Sequence, residues 1–396
     1  MKRKNTLKIF ALITLATALS VAAGSVLSPI EVRFLETLTS NTALIGARYS
    51  LAAAFGGIFS LIIGRLSYKY GKRRFIITGA LLAIISPLLY VHSSNIFQYM
   101  TFGVVAAFAG AAIGPPISSM LQDTLANNKS RGKLLGISYA AAAIMGSAGA
   151  FVGGITADIY GLKAPYYAVA FIGILTAAAV IALVIGYKNH AKTSSKKIVL
   201  EKRDILFSER YILKDPALIF HFILQSAFGL YWSIKPILFP LAIFAIAKSN
   251  TATGSVFAAM GIVAMFVLPL AGHYIDKKGY LKGAKIGYMI LGIASIALAF
   301  SDTLSMFFIF ASLFAVGEAI NGPMRGVIEI NHIKNRHRTE LMGFYYAHSA
   351  LLSIISPLIA GLLLAFMPPS KVLLIYSIIL WIGIVAAFGS LKKQKI

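Results

Sequence analysis

An all-α membrane fold of twelve transmembrane helices in two six-helix halves is predicted from three observations. The mean hydropathy is +0.80, with 58% hydrophobic and 13% charged residues, more apolar surface than a soluble chain of 396 residues could keep out of water. The apolar residues gather into spans of roughly 18–25, the length that crosses a hydrocarbon core. A basic turn built on Gly64, Tyr68, Lys69, Gly71, Lys72, Arg73 and Arg74 returns 208 residues later on Gly272, Asp276, Lys277, Gly279 and Lys282. Gly114-Pro115 likewise returns as Gly322-Pro323, and Arg131 with Gly136 as Arg338 with Gly343.

Taken in order, the first span (7–28) follows Lys2-Arg3-Lys4 and carries Thr14, Thr17 and Ser28. An external segment, 29–43, holds Glu31, Arg33 and Glu36. The second span (44–66) then places Arg48 near its outer start, within reach of Glu31 or Glu36 as an outer gate or interface anchor. The third (75–92) leaves the first basic turn, and the fourth (97–121) runs into Asp123, eight residues before Arg131. The fifth (134–157) contains Gly149-Ala150 and Gly153-Gly154, and the sixth (165–187) ends at the long basic stretch 188–215. That stretch divides the chain into a first bundle (1–190), a linker (191–214) and a second bundle (215–396). The linker reads equally as a surface-lying helix, from its apolar spacing, or as a disordered tether, from its composition.

The seventh span (217–246) carries His221, Gln225, Phe228, Trp232 and Lys235 as one stripe, with Tyr231 beside it. The eighth (251–275) enters the second basic turn, and the ninth (284–301) follows it. The tenth (304–328) lines up Glu318, Asn321, Gly322, Arg325 and Glu329 on one face. The eleventh (341–367) holds Tyr345, His348, Ser349, Ser356-Pro357 and Ala360-Gly361, and the twelfth spans 371–391. A half-chain repeated in parallel is the build of secondary transporters.

Charge fixes the orientation. Of 37 Lys and Arg, 30 fall in segments on one side and 4 (Arg33, Lys163, Lys248, Lys371) on the other, with Arg48, Lys235 and Arg325 at membrane depth. This positive-inside bias puts both termini in the cytoplasm. The net charge of +24 therefore reports topology and some affinity for anionic membrane lipid, and argues against a nucleic-acid partner. With no cysteine there is no disulfide, thiolate nucleophile or Cys-based metal site. No cofactor and no metal is implied, and no P-loop occurs, so pumping would draw on a gradient. The first span imitates a signal peptide, but its removal would unbalance the repeat, so it is expected to stay.

An ionisable residue inside the bilayer costs roughly 2.5–3.5 kcal/mol, so Glu318, Arg325 and Lys235 ask for a reason. Arg325 lies about 10 Å along the helix from Glu318, a spacing suited to a proton or substrate relay. Arg325 with Glu329 reads equally as a self-neutralising i, i+4 pair. His221 falls within two turns of the cytoplasmic end and would face water there; Lys235 could snorkel to the outer interface.

These motifs resemble the major facilitator superfamily over essentially the whole chain. Its loop pattern G-x-L-a-D-r-x-G-r-k is met by Gly64, Leu66, Lys69, Gly71, Lys72 and Arg73, with Tyr68 in the acidic place; the second copy keeps Asp276 between Gly272 and Gly279. The resemblance implies a gating role for Gly64, Lys69, Gly71, Arg73, Gly272, Asp276, Gly279, Asp123 and Arg131, with glycines serving tight turns and close helix approach. The Gly149–Gly154 run is similar to the G-P-x-x-G-G element of the family's proton-coupled drug antiporters, with Ala150 for Pro, while Ala106 stands where those antiporters have Arg. A packing role is expected for these small residues.

The resemblance also implies a central cavity lined by the first, fourth, seventh and tenth helices. The expected substrate and coupling residues are Glu318, Arg325, Asn321, Lys235, Trp232, Tyr231 and Gln225. Among them Lys235 and Arg325 would take an anionic group, Trp232 and Tyr231 would form an aromatic wall, and Glu318 would couple. The expectation is a secondary active transporter, not an enzyme, moving a small organic solute by alternating access. Protons, a monomeric state and the plasma membrane complete it. A proton-driven multidrug or amphiphile exporter is the alternative, and a non-transporting sensor of the same fold another.

Overall fold

The structure, a computed structural model, describes residues 2–125, 131–187, 207–333 and 335–392; side chains of 2–6, 65, 68, 69, 122, 131–133, 135, 207, 330, 335–340, 342, 343 and 392 lie outside the description. The described residues form helices joined by short turns, without a strand. The helices are α1 (Lys2–Leu27), α2 (Glu31–Leu38), α3 (Thr42–Tyr70), α4 (Lys72–Val91), α5 (Ile96–Leu125), α6 (Arg131–Tyr160) and α7 (Ala164–Tyr187). After them come α8 (Phe207–Leu213), α9 (Pro216–Ala247), α10 (Asn250–Lys278), α11 (Tyr280–Ala299), α12 (Leu304–His332), α13 (Asn335–Leu364) and α14 (Pro369–Lys392). Twelve are long and apolar enough to cross a membrane; the short α2 and α8 are the exceptions. Most of the linker expected over 191–214 lies outside the described residues. Its last part, α8, folds onto the bundle, burying Ile212 and donating the Tyr211 hydroxyl to the His332 carbonyl.

Helix starts follow local chemistry. The Asn41, Asp215, Ser249 and Thr303 side chains each accept an N–H of the first turn that would otherwise lack a partner. The two basic turns are single-residue joints. Gly71 and Gly279, which occupy matching places in the repeat, have φ of 91° and 85°, a region that favours glycine. Gly64 and Gly272 behave otherwise than expected: a Cβ on either would meet nothing within 4 Å, so neither serves a close helix approach in this conformation.

Helices α1 to α7 pack among themselves, α9 to α14 do the same, and the groups meet along α3–α13, α6–α10 and α2–α9. The first two contacts are images of each other under the repeat. Gly46 on α3 crosses Gly361 on α13, and Gly254 on α10 crosses Gly154 on α6, at offsets of 208 and 207. A Cβ at Gly46 would lie 2.3 Å from the Pro357 carbonyl oxygen, and one at Gly254 would lie 2.4 Å from that of Ala150. Within the first group, Gly149 and Gly153 of α6 press in the same way on the backbone of α1 at Ala22 and Val26.

The described hydrogen bonds that join the groups lie in the half of the bundle away from the termini, the far half. Thr42 Oγ1 donates to the Gly361 carbonyl at 2.8 Å, and Ser50 Oγ to that of Ile354 at 2.5 Å. The outer faces carry exposed Phe171, Ile185, Phe266, Leu270 and Val385, as lipid contact requires.

Leucine at Gly46 or Gly254 should force the groups apart at the far end, costing about 1–3 kcal/mol through overpacking. Thermal unfolding in detergent should register the loss. Gly186→Ala, where a Cβ meets open space, should leave the transition in place; equal effects at all three sites would refute the crossing argument.

Candidate solute site between the helix groups

A cavity of about 260 Å³ lies between the groups, walled by Ser25 of α1 and Ser28 in the turn after it, Ser147 of α6, Lys235 of α9, Phe257 of α10 and Glu318 of α12. The charge is all on one wall. Lys235 Nζ donates to Glu318 Oε2 at 2.9 Å and sits 4.1 Å from the centre of the Trp232 ring. Both charged side chains retain some exposure, 12% and 25%, so the pair borders the cavity. Trp232, whose ring backs the Lys235 ammonium, is 43% exposed, but the aromatic residue of the cavity lining is Phe257, not the expected Trp232.

Below this pair the two polar stripes face each other across α9 and α12. The Gln225 amide donates to Asn321 Oδ1 at 2.8 Å, and the Tyr288 hydroxyl donates to the same oxygen at 2.9 Å. Next, Arg325 Nε donates to Glu329 Oε1 at 2.7 Å, while His221 Nε2 stands 3.6 Å from that oxygen. At the terminal end, the His332 ring bridges the Asp215 carboxylate (3.0 Å) and the Tyr280 hydroxyl (3.1 Å). Because α9 and α12 run antiparallel, rising numbers on one meet falling numbers on the other, and the contacts form a ladder.

That arrangement corrects several expectations. Lys235 and Arg325 do not lie side by side as the anion reading pictured them: each holds its own carboxylate, at a different depth. Lys235 turns inward to Glu318 and does not snorkel. Arg325 takes the i, i+4 partner. Glu318, without a partner on its own helix, finds one on α9. His221 is fully buried against the Tyr345 ring (centroids 5.2 Å apart) and does not face water. Tyr231 is also fully buried, stacked on Phe314 at 5.2 Å. One residue before Trp232 is about 100° around the helix, which turns Tyr231 into the bundle and away from the cavity wall.

Among the expected gating residues, Asp123 accepts from Lys72 Nζ at 2.7 Å, and the same ammonium donates to the Ser119 hydroxyl at 2.7 Å. Asp276 is exposed in the last turn of α10 and engages no ion pair among the described residues. Arg73 is half-buried in the first turn of α4, and the side chains of Lys69 and Arg131 lie outside the described residues.

At the far end Arg48 pairs with Glu31, one of the two partners foreseen, while Glu36 takes Arg33. Four tyrosines were not foreseen there. The Tyr99 hydroxyl donates to Glu31 Oε1 at 2.7 Å and contacts that of Tyr166 at 3.0 Å; the Arg48 guanidinium lies 4.8 Å from the Tyr49 ring centre and 6.0 Å from that of Tyr90. This cluster staples α2 to the first group. Arg33 of α2 in turn lies 3.8 Å over the Phe244 ring of α9, so α2 closes over the second group.

Comparison with known proteins gives a consistent picture. The family described as Major Facilitator Superfamily matches residues 13–279 and 219–395. An uncharacterised MFS-type transporter of Methanocaldococcus jannaschii, MJ1560, is 27% identical over 331 residues, covering 81% of each chain. Multidrug resistance protein MdtG of Escherichia fergusonii is 23% identical over 391 residues, covering 95% of this chain and 93% of that one. In fold, a point mutant of the nucleoside transporter NupG superposes with a TM-score of 0.79 at 12% identity, over 96% of this chain and 99% of its own. A bacterial homologue of the human lysosomal transporter Spinster, inward-facing and unoccupied, gives 0.78 at 14%, over 98% and 97%.

A double-mutant cycle on Lys235→Met and Glu318→Gln should give a coupling of about 0.5–3 kcal/mol by thermal unfolding. Each single variant leaves one charge uncompensated, and the double change removes both charges. Strict additivity would mean that the two side chains do not hold each other in solution.

Proposed function

We propose, on the premise that the chain belongs to the Major Facilitator Superfamily and is a multi-pass membrane protein of that transporter family, that it is a secondary active transporter moving a small organic solute by alternating access with protons as the coupling ion. The observation that carries the reading is the Lys235–Glu318 pair bordering the cavity between the two helix groups. While paired, the two charges cancel. An anionic solute group that takes Lys235 displaces the Glu318 carboxylate, and a proton taken up by that freed carboxylate keeps the site neutral. Solute and proton then load together, and the loaded site carries no uncompensated charge.

The first group (1–190) and the second (215–396) are the two rocking bodies in this reading, with 191–214 as the tether. The charge bias along the chain supports cytoplasmic termini and a place in the cell membrane, and the far-end contacts then describe a cytoplasm-facing state. Gly71 and Gly279 would act as joints in the gating turns, and the Lys72–Asp123 pair would hold the first turn to α5. The protein works as a monomer, each bundle pair enclosing its own cavity, with anionic lipid around the basic turns.

A second reading is export of amphiphilic compounds in exchange for protons. Two observations favour it: relatives named as multidrug resistance proteins, and a second hollow of about 320 Å³ in the first group, lined by Gly24, Pro87, Tyr90, Gly110, Ile113 and Gly114. That apolar surface would suit the body of an amphiphile.

Purified protein in liposomes holding a pH-sensitive dye should move protons when pooled organic anions or amphiphilic cations are added, and the responding pool separates the two readings. Glu318→Gln should still exchange labelled solute yet lose the dependence on a pH gradient. Gradient-driven accumulation by that variant would show that Glu318 is not the coupling group, and silence of the parent protein with every pool would favour a sensor.

A further inference from the structure

The two glycine crossings at the far end are repeat images, but what lies one helical turn beyond them differs. Gly154 corresponds to Gly361, and four residues further on Asp158 corresponds to Ala365. Asp158, at the far end of α6, reaches across to the other group and accepts four hydrogen bonds at the start of α10. Its Oδ1 takes the Asn250 backbone N–H (3.0 Å) and the Asn250 side-chain amide (2.8 Å). Its Oδ2 takes the Ser249 hydroxyl (2.8 Å) and the Thr251 backbone N–H (2.8 Å). Ser249 meanwhile uses its hydroxyl oxygen to accept from Ala252 N at 3.1 Å. One carboxylate thus serves the first-turn donors of a helix that belongs to the opposite body, where the helix dipole also favours negative charge.

The image crossing has no carboxylate. Gly46 and Gly361 pack as tightly as Gly154 and Gly254, with two hydroxyls on backbone carbonyls beside them, Thr42 on Gly361 and Ser50 on Ile354. Helix packing therefore does not require the carboxylate. Asp158 is exposed on its outer side and makes no ion pair among the described residues, so hydrogen bonding to α10 is its described engagement. In a state open at the far end these four bonds must break, because their donors and acceptor sit on different bodies.

We propose that Asp158 is the latch of the far-end gate: its carboxylate on the start of α10 sets how strongly the closed state is favoured. The proposal rests on the alternating-access part of the transport reading, but it concerns the conformational equilibrium alone and needs neither a known solute nor a known coupling ion.

The chain has no cysteine, so spin-label pairs can be introduced without background. Leu162→Cys with Ser301→Cys would report the far end, and Arg74→Cys with Lys282→Cys the terminal end. Distance distributions would be taken by pulsed electron resonance on the full chain in lipid. Asp158→Ala and Asp158→Asn should lower the closed-to-open ratio at the far end by about ten- to a hundredfold, the scale of losing hydrogen bonds to a charged group. The terminal-end pair should shorten in the same samples. Ala365→Asp, which offers the image crossing a carboxylate of its own, should shift the ratio back when combined with Asp158→Ala. Unchanged distributions in both Asp158 variants would overturn the proposal. So would broadening at both ends with a collapsed unfolding transition, since Asp158 would then be holding the fold and not selecting a state.

Discussion

Helices in a bilayer gain nothing by hiding apolar surface from lipid, so their association depends on how closely backbones can approach. In this protein the two helix groups meet where Gly46 lies on Gly361 and Gly154 on Gly254. No side chain stands between the backbones there, and the interbody hydrogen bonds of Thr42 and Ser50 lie within one or two turns of a crossing. The cavity owes its position to these contacts. Its lining comes from α1, α6, α9, α10 and α12, of which α6 and α10 form one of the crossings.

From that arrangement the polar chemistry acquires its geometry. Lys235 and Glu318 come from antiparallel helices of one body and neutralise each other on the cavity wall. Three further polar contacts run between the same two helices toward the terminal end. Buried charge is tolerated because nearly every member has a partner within hydrogen-bond reach. His221 differs: it is fully enclosed, and its nearest carboxylate oxygen lies at 3.6 Å.

Much of the architecture was legible in the sequence, because span length, charge alternation and a half-chain repeat are properties of single segments or of simple offsets. The helix α2 was not, being eight residues long and shorter than any hydropathy window; α8, of seven residues, showed only as one of two readings of the linker. Site residues were legible as stripes but not as pairs. Glu318 and Lys235 are 83 positions apart, and their meeting depends on how α9 and α12 are rotated, which no local pattern encodes. Arg48 with Glu31 was within reach because only 17 residues separate them. The tyrosines around that pair arrive from α3, α4, α5 and α7 and read as scattered interface aromatics. Asp158 left one faint mark, an acid ending an apolar span opposite a Ser-Asn-Thr helix start.

The charge of the cavity belongs to one body, while the facing wall from α1 and α6 is built chiefly of glycine, alanine and serine. Electric charge and smooth contour are therefore contributed to the cavity by separate helix groups. Substitutions that recontour the smooth wall would leave the ion pair opposite in place, so the shape of the space and its charge can vary independently.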